Sequence, residues 1–387
     1  MRVLYLTNIP SPYRVAFFDE LARHCDLIVL FDFPSADDRD KDWFPAHASY
    51  RFSHLFLHTA NARRVTPALS VLTWLDPTAY DIIVVGDYTT PSGMLAAAYM
   101  RARRIPFFLN ADGGFVKQAT LRRRRHVDAD RVPDLCESPW AAALKRFLIG
   151  GATGYLSSSR HTSAYLLHYG ASEKAIRLYN FSSLHESDIL TRPLEGWQKD
   201  RIKEKLGLSA KLIVSVGHFI PRKGFQYLLD AWRQIGKKQD YSLLIIGGGP
   251  LRPILEDSIR HAGIDRVELL DFVRPDAVLD YYRCAEISVF PTLYDVWGLV
   301  VNEAMACGLP VITTDATIAG LTLVRDGYNG FIVPRAEAAP LAAKLECLMQ
   351  DDALRKRLAL NSLAAIRRYT IEEMARQHLE AFATWVK

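Results

Sequence analysis

Short unbroken apolar runs alternate with helical patterns along this chain, and the alternation runs through once and then starts again. The first series places strands at Val3 to Thr7, Leu27 to Phe31, Ile82 to Val85, Pro106 to Leu109 and Gly154 to Ser157, with helices at Arg14 to Arg23 and Ser92 to Arg103. The second places strands at Leu212 to Val216, Leu243 to Ile246, Val267 to Leu270, Ile287 to Phe290, Val311 to Thr313 and Phe331 to Val333. Strands that are apolar on both faces belong to parallel sheets covered by helices on each side. The expected fold class is therefore α/β, with two doubly wound Rossmann-like domains. At 387 residues, 49% of them apolar, the chain can fill two cores of ordinary domain size. The expected boundaries are a first domain over 1–182, a polar linker over 183–210 that holds Pro193 and Gly196, a second domain over 211–368, and a last helix within 369–387.

The stretch Pro291 to Pro310, PTLYDVWGLVVNEAMACGLP, sets Asp295 ahead of an apolar helix and Glu303 inside it. A helix rises ~1.5 Å per residue, which puts Glu303 roughly 7–8 Å along the axis from a start near Gly298. The first backbone N–H groups of that helix, those of Gly298, Leu299 and Val300, lie at its positive end and favour an anion. A ligand with a hydroxylated unit at each end and a phosphate between them satisfies all three features, and a nucleotide sugar has that form. The alternative is a buried ion-pair residue at Glu303 and a cap at Asp295. Upstream, the strand at Leu212 to Val216 runs into Gly217-His218-Phe219-Ile220-Pro221-Arg222-Lys223-Gly224, which places two cations at a helix entrance. The turn Gly247-Gly248-Gly249-Pro250 lacks dinucleotide-binding spacing and reads as a tight strand-to-helix turn.

Asp295-x7-Glu303, followed by Ala304-Met305-Ala306-Cys307-Gly308-Leu309-Pro310, resembles the Glu-x7-Glu signature of family-4 retaining glycosyltransferases, with Asp in place of the first Glu. The resemblance covers roughly Lys211 to Pro334 and implies the GT-B architecture, two Rossmann-like domains facing across a cleft, with the end of the chain crossing back to the first domain. It implies that Asp295 contacts the donor sugar, Glu303 the ribose, and the amides of Gly298, Leu299 and Val300 the diphosphate. Lys223 matches a phosphate-binding Lys; His218 stands where the family has an Arg, and Arg222 supplies charge beside it. The base is expected near Phe272 and Val273. The implied reaction is metal-independent transfer, with retention, from a nucleotide diphosphate sugar (UDP or GDP) to a glycan or lipid-linked acceptor. The departing phosphate helps to deprotonate that acceptor, and no tightly bound cofactor is needed. A catalytically weak donor-binding scaffold subunit, or a phosphorylase or epimerase on the same fold, are the alternatives.

In the first domain Asp112 and Gly113 follow a strand, and Asp112 is the candidate contact for the acceptor hydroxyl or donor sugar. Arg14, in the first strand-to-helix turn, is a candidate for donor phosphate or acceptor. Asp128-Ala129-Asp130 lies in a charged loop and is not expected to bind metal. The net charge is +5, with Arg clustered at 101–104 and 122–125. Such clusters favour anionic partners, here an anionic membrane surface reached through Arg122 to Arg125, with Leu144, Phe147 and Leu148 on one helical face. No nucleic-acid partner is expected. Five scattered cysteines with no ligand spacing indicate reduced thiols. The chain opens on an apolar strand and no apolar run reaches membrane-spanning length, so a cytoplasmic protein, peripheral at the inner membrane face, is the expectation.

Overall fold

The computed structural model describes residues 1–35, 50–58, 66–115, 137–238 and 240–386. The chain divides into two units: one holds the described residues from Met1 to Ser183 together with those from Tyr369 onward, and the other runs from Leu184 to Arg368.

The first unit is built from β1 (Arg2–Thr7), α1 (Pro12–Leu21), β2 (Asp26–Phe31), β3 (Ser53–Phe56), β4 (Ile82–Val85), α2 (Pro91–Arg103), β5 (Phe108–Ala111), α3 (Pro139–Ile149), β6 (Gly154–Ser157), α4 (Arg160–His168) and β7 (Ile176–Leu178). Its described strands form one parallel sheet in the order β3-β2-β1-β4-β5-β6-β7. Val3 pairs with Leu27 on one side and with Ile82 on the other, so the strand order reverses beside β1. The apolar runs of β1, β2 and β4 are buried because helices cover both faces. Thr90 caps α2 by accepting from Gly93 N, Pro91 takes the first turn where its missing N–H costs nothing, and Arg101 and Arg103 sit at the negative end.

The second unit follows with α5 (Gly196–Lys205), β8 (Lys211–Val216), α6 (Phe225–Gln234), β9 (Tyr241–Ile246), α7 (Arg252–His261), β10 (Val267–Leu270), α8 (Pro275–Cys284), β11 (Ile287–Phe290), α9 (Leu299–Ala306), β12 (Val311–Thr314), α10 (Ile318–Leu323), β13 (Gly330–Val333), α11 (Ala338–Gln350) and α12 (Asp352–Ile366). Its parallel sheet has the order β10-β9-β8-β11-β12-β13, which reverses between β8 and β11. Trp232, Phe219, Phe225 and Leu228 fill the core under this sheet, and Trp232 Nε1 donates to Asp265 O at 3.0 Å. Full burial of each such side chain contributes about 1.5–3 kcal/mol.

The structure adds to the sequence reading in three places. The polar stretch 183–210 carries α5, Lys199 Nζ donates to Ala285 O at 2.7 Å, and Leu190 N donates to Ala306 O at 2.9 Å. Its polar composition reflects a helix with one buried edge. The expected strand at Pro106 to Leu109 lies two residues later, at Phe108–Ala111, beyond the proline that cannot donate to a ladder. β3 and β7 were missed because β3 is exposed along its length and β7 has three residues.

Beyond Tyr369 the chain packs into the first unit as α13 (Ile371–Trp385), capped by Thr370. Trp385 stacks on Phe108 with ring centroids 4.0 Å apart, and the buried ring of His378 lies 4.7 Å from Phe17 and 4.6 Å from Tyr179. His378 Nδ1 is 2.7 Å from Met374 O and Nε2 is 3.2 Å from Asn110 Oδ1. Among the described residues no helix is long and apolar enough to cross a membrane.

Burial, reinforced by the charge of Arg14, pushes His378 down from 6.5 to about 4, although its contact with Met374 O acts the other way. The folded protein thus holds this ring neutral while the unfolded chain protonates it below pH ~6.5. Unfolding takes up a proton in that window, so the contribution is complete above pH 6.5 and falls as pH drops toward 4, by on the order of 3 kcal/mol in all. Urea unfolding over a pH series should show that slope in the native protein and a flatter one in His378→Gln; identical slopes would remove His378 as the cause.

Candidate functional site

The loops that leave β8, β11 and β12 at their carboxyl ends converge in the second unit. After β8 a single 3-10 turn, Pro221–Lys223, ends on Gly224 at φ +70°. A Cβ at Gly224 would stand 2.1 Å from Pro291 O, so only glycine lets this turn approach the loop after β11. Arg222 O then accepts from Leu293 N at 2.8 Å and from Thr292 Oγ1 at 3.0 Å, which fixes the two loops side by side.

This registration brings the predicted charged groups together. Lys223 Nζ donates to Asp295 Oδ2 and lies 4.8 Å from the centre of the Phe290 ring. Arg222 Nη1 stands 3.4 Å from the same oxygen and donates to Tyr294 O at 3.2 Å. Lys223 and Asp295 are both buried, whereas the Arg222 side chain is 37% exposed. Burial pushes the Asp295 carboxyl up, but the charges of Lys223 and Arg222 and the Lys223 hydrogen bond outweigh it and hold it below the ordinary carboxylate range. The Asp295 backbone is tied to the loop after β12, its N–H donating to Ala316 O at 2.9 Å.

α9 starts at Gly298, whose φ of +102° and close approach to Phe290 and Thr317 exclude a side chain. Trp297, just before it, is buried, with Nε1 donating to Asn302 Oδ1 at 2.9 Å, and its carbonyl accepts from Thr317 Oγ1 and Ala319 N. Leu299 and Val300 occupy the first turn and are half-buried. Glu303 lies a little over one turn further, also half-buried, beside the Tyr282 hydroxyl and the Cys307 thiol. Burial and the Glu303 charge both push that thiol up, to about 12. His218 follows β8 and is half-buried; the Gly247–Pro250 turn is bonded to its loop, Phe219 N donating to Gly248 O at 2.7 Å and Leu251 N to Phe219 O at 2.9 Å. Phe272 and Val273 follow β10 at the same edge, next to Asp271, which pairs with Arg252 at 2.8 Å.

In the first unit Arg14 and Asp112 are partners of each other, Nη2 to Oδ2 at 2.5 Å. The remaining oxygen of Asp112 accepts from Asn110 Nδ2 at 2.7 Å and from Tyr179 OH at 2.8 Å. Burial lowers the Arg14 guanidinium, and the adjacent Asp112 more than offsets this, so it stays charged. Asp112 is thus a carboxylate held by three donors, with Gly113 half-buried behind it. Sequence reading missed Asn110, Tyr179 and His378 because their partnership joins positions 69 and 268 apart.

Arg122 to Arg125, the Asp128 and Asp130 pair and Cys136 lie outside the described residues. Leu144, Phe147 and Leu148 do not share one exposed face: Leu148 is in the core, Leu144 packs against it, and Phe147 is exposed under Arg101, 4.4 Å from its ring centre. Among the described residues no cluster of three His, Cys, Asp or Glu is placed to hold a metal.

Asp295→Ala removes one carboxylate from a buried ammonium, that of Lys223, and breaking such a buried pair costs about 3–5 kcal/mol. Pairing it with Lys223→Met should recover most of the loss in urea unfolding. Equal stability of the Asp295→Ala and native proteins would show that the pair is not buried in solution.

Residues 198–363 match the family model described as glycosyl transferases group 1. The chain is 31% identical over 233 residues to a D-inositol 3-phosphate glycosyltransferase of Xylanimonas cellulosilytica, a match covering 56% of this chain and 55% of that protein. It is 32% identical over 180 residues to a phosphatidyl-myo-inositol mannosyltransferase of Mycobacterium leprae, covering 45% and 46%. The chain thus spans about half the length of these curated relatives. The solved structure of Anabaena Alr3699/HepE in complex with UDP matches 99% of this chain and 100% of its own at a TM-score of 0.75 and 18% identity. The chain thus matches the glycosyl transferases group 1 model over residues 198–363, and its two parallel α/β units carry the GT-B fold.

Proposed function

We propose that this protein is a retaining, metal-independent glycosyltransferase that moves a sugar from a nucleoside diphosphate donor to a glycan or lipid-linked acceptor. The observation that carries this reading is the placement of Lys223, Arg222 and Asp295 beside the start of α9 within the segment that matches the family. HepE, whose solved structures hold UDP and UDP-glucose, supports a uridine nucleotide as the donor carrier.

In this reading the diphosphate lies against the Leu299 and Val300 amides, where the helix dipole favours an anion. Lys223 and Arg222 stabilise the charge that grows on it as the sugar C1–oxygen bond breaks. Asp295 orients both cations and meets a donor-sugar hydroxyl, and Glu303 holds the ribose. The acceptor oxygen bonds to C1 on the face the diphosphate leaves, and its proton passes to the departing phosphate. His218 lends a hydrogen bond to the phosphates, and Phe272 and Val273 flank the base. A second reading, a donor-binding subunit of low catalytic power, is favoured by Asp295 being already engaged by Lys223; measured transfer would exclude it.

Calorimetric titration should show UDP or GDP binding in EDTA, weakened about tenfold or more by Glu303→Ala, since loss of the ribose contact leaves buried groups unpaired. Retained affinity in a folded Glu303→Ala protein, or binding only after Mn²⁺ or Mg²⁺ is added, would contradict the assignment.

In this reading the acceptor lies at the cytoplasmic membrane face. In α3 Trp140 and Phe147 are exposed beside Arg146, and α2 ends in Arg101, Arg103 and Arg104, a mixture suited to an anionic interface. Trp140→Ser with Phe147→Ser should reduce sedimentation with phosphatidylglycerol vesicles; unchanged sedimentation would favour a soluble acceptor.

A further inference from the structure

The carboxyl ends of β1, β2 and β4 enclose a small polar cavity in the first unit. Thr7, Asp32, Asp87, Thr90 and Ser92 line it, together with apolar groups of the neighbouring strands. It leaves about 10 Å³ for the centre of a water-sized group, room for one hydroxyl or one water. It lies where the strand order reverses beside β1, the position at which open α/β sheets bind ligands.

The cavity is built around a carboxylate with one oxygen satisfied and one not. Asp32 is 2% exposed. Its Oδ1 accepts from Ser92 Oγ at 2.6 Å and faces His58 Nδ1 at 3.0 Å. Ser92 Oγ is itself fixed by Ala68 N at 3.0 Å, and the His58 ring stacks on Phe33 with centroids 4.7 Å apart. The other oxygen, Oδ2, is buried without a hydrogen-bond partner, and so is Oγ1 of Thr7, a residue of the same lining. Asp32 N donates to Thr7 O at 2.8 Å, which holds the two side chains in register. A buried polar atom left without a partner is destabilising, and natural sites with such groups are completed by a water or a ligand.

We infer that Asp32 and Thr7 form a subsite for one sugar hydroxyl of the acceptor, a specificity-determining pocket that rests on the glycosyltransferase reading above. The orphan pair has the complement of an alcohol: Asp32 Oδ2 only accepts, and Thr7 Oγ1 can donate. A hydroxyl entering the cavity donates to the carboxylate and accepts from Thr7, with no donor left over. An ammonium brings three donors and finds fewer orphan acceptors. Asp87 and Thr90 are half-exposed, so the cavity is not sealed by its own walls. The carboxylate makes the contact a charge-assisted one, the strong kind, which suits selection by hydroxyl position.

Ligand-observed NMR with the full chain tests this, using methyl α-D-glucopyranoside, methyl α-D-mannopyranoside, methyl α-D-galactopyranoside and myo-inositol as probes. At least one should bind the native protein, and both Asp32→Asn and Thr7→Val should weaken it by about tenfold, the scale of one lost charge-assisted bond. Both substitutions preserve side-chain shape, and circular dichroism identifies either variant that fails to fold, leaving the other to decide. Binding that neither folded variant alters would mean the cavity holds a structural water only, and binding by none of the probes would equally overturn the subsite. UDP titration separates the two readings: glycoside binding without UDP binding would sink the glycosyltransferase reading and leave a carbohydrate subsite standing.

Discussion

The buried contact between Lys223 and Asp295 organises the second unit. It ties the turn after β8 to the loop after β11, and that loop is tied in turn to the one after β12 through Ala316. Removing two charges from water costs several kcal/mol per ion, and their attraction recovers this only in good geometry with further bonds. Here those bonds exist: Arg222 faces the same carboxylate oxygen, and the Phe290 ring lies under the ammonium. Such a pair adds little net stability over an apolar one. Its value is positional, since a cation locked beside a helix start needs no reorganisation when an anion arrives. Gly224 and Gly298 are the backbone conditions for it, each at positive φ with a neighbour where a Cβ would stand.

The first unit uses the same chemistry for a different end. A buried Arg14 pairs there with a half-buried Asp112, but Asn110 and Tyr179 complete the carboxylate, and His378 of α13 bonds to Asn110. That network fastens the last helix to the sheet edge. Buried side-chain oxygens without a partner lie at Thr7, Ser11 and Asp32, at or just after the carboxyl ends of β1 and β2, and Arg14 Nε within the network is likewise without one. The second unit therefore presents paired cations at the carboxyl end of its sheet, and the first presents unfilled hydroxyl and carboxylate oxygens.

Much of this was legible in the sequence because the signals are local. Runs such as Ile82 to Val85 are buried on both faces and read directly as strands, and the spacing of Asp295 and Glu303 around a helix start is a property of one continuous segment. The composition of 183–210 does not reveal that Lys199 reaches Ala285 and Glu286. β3 carries no alternation because it is an exposed edge. Asp112 was found as a carboxylate at a strand end, but its saturation by Arg14, Asn110 and Tyr179 depends on contacts between distant positions. Asp32 was missed for the same reason: one Asp after an apolar strand has no local mark that distinguishes it from a turn residue.

The central claim is that the start of α9 and the Lys223–Asp295–Arg222 cluster form one anion site. A crystal structure of the complex with UDP tests it most directly. The account predicts the diphosphate within hydrogen-bonding distance of the Leu299 or Val300 amide and of Arg222 or Lys223, with the ribose on Glu303. A nucleotide bound in order elsewhere on the second unit, with this cluster uncontacted, would contradict it.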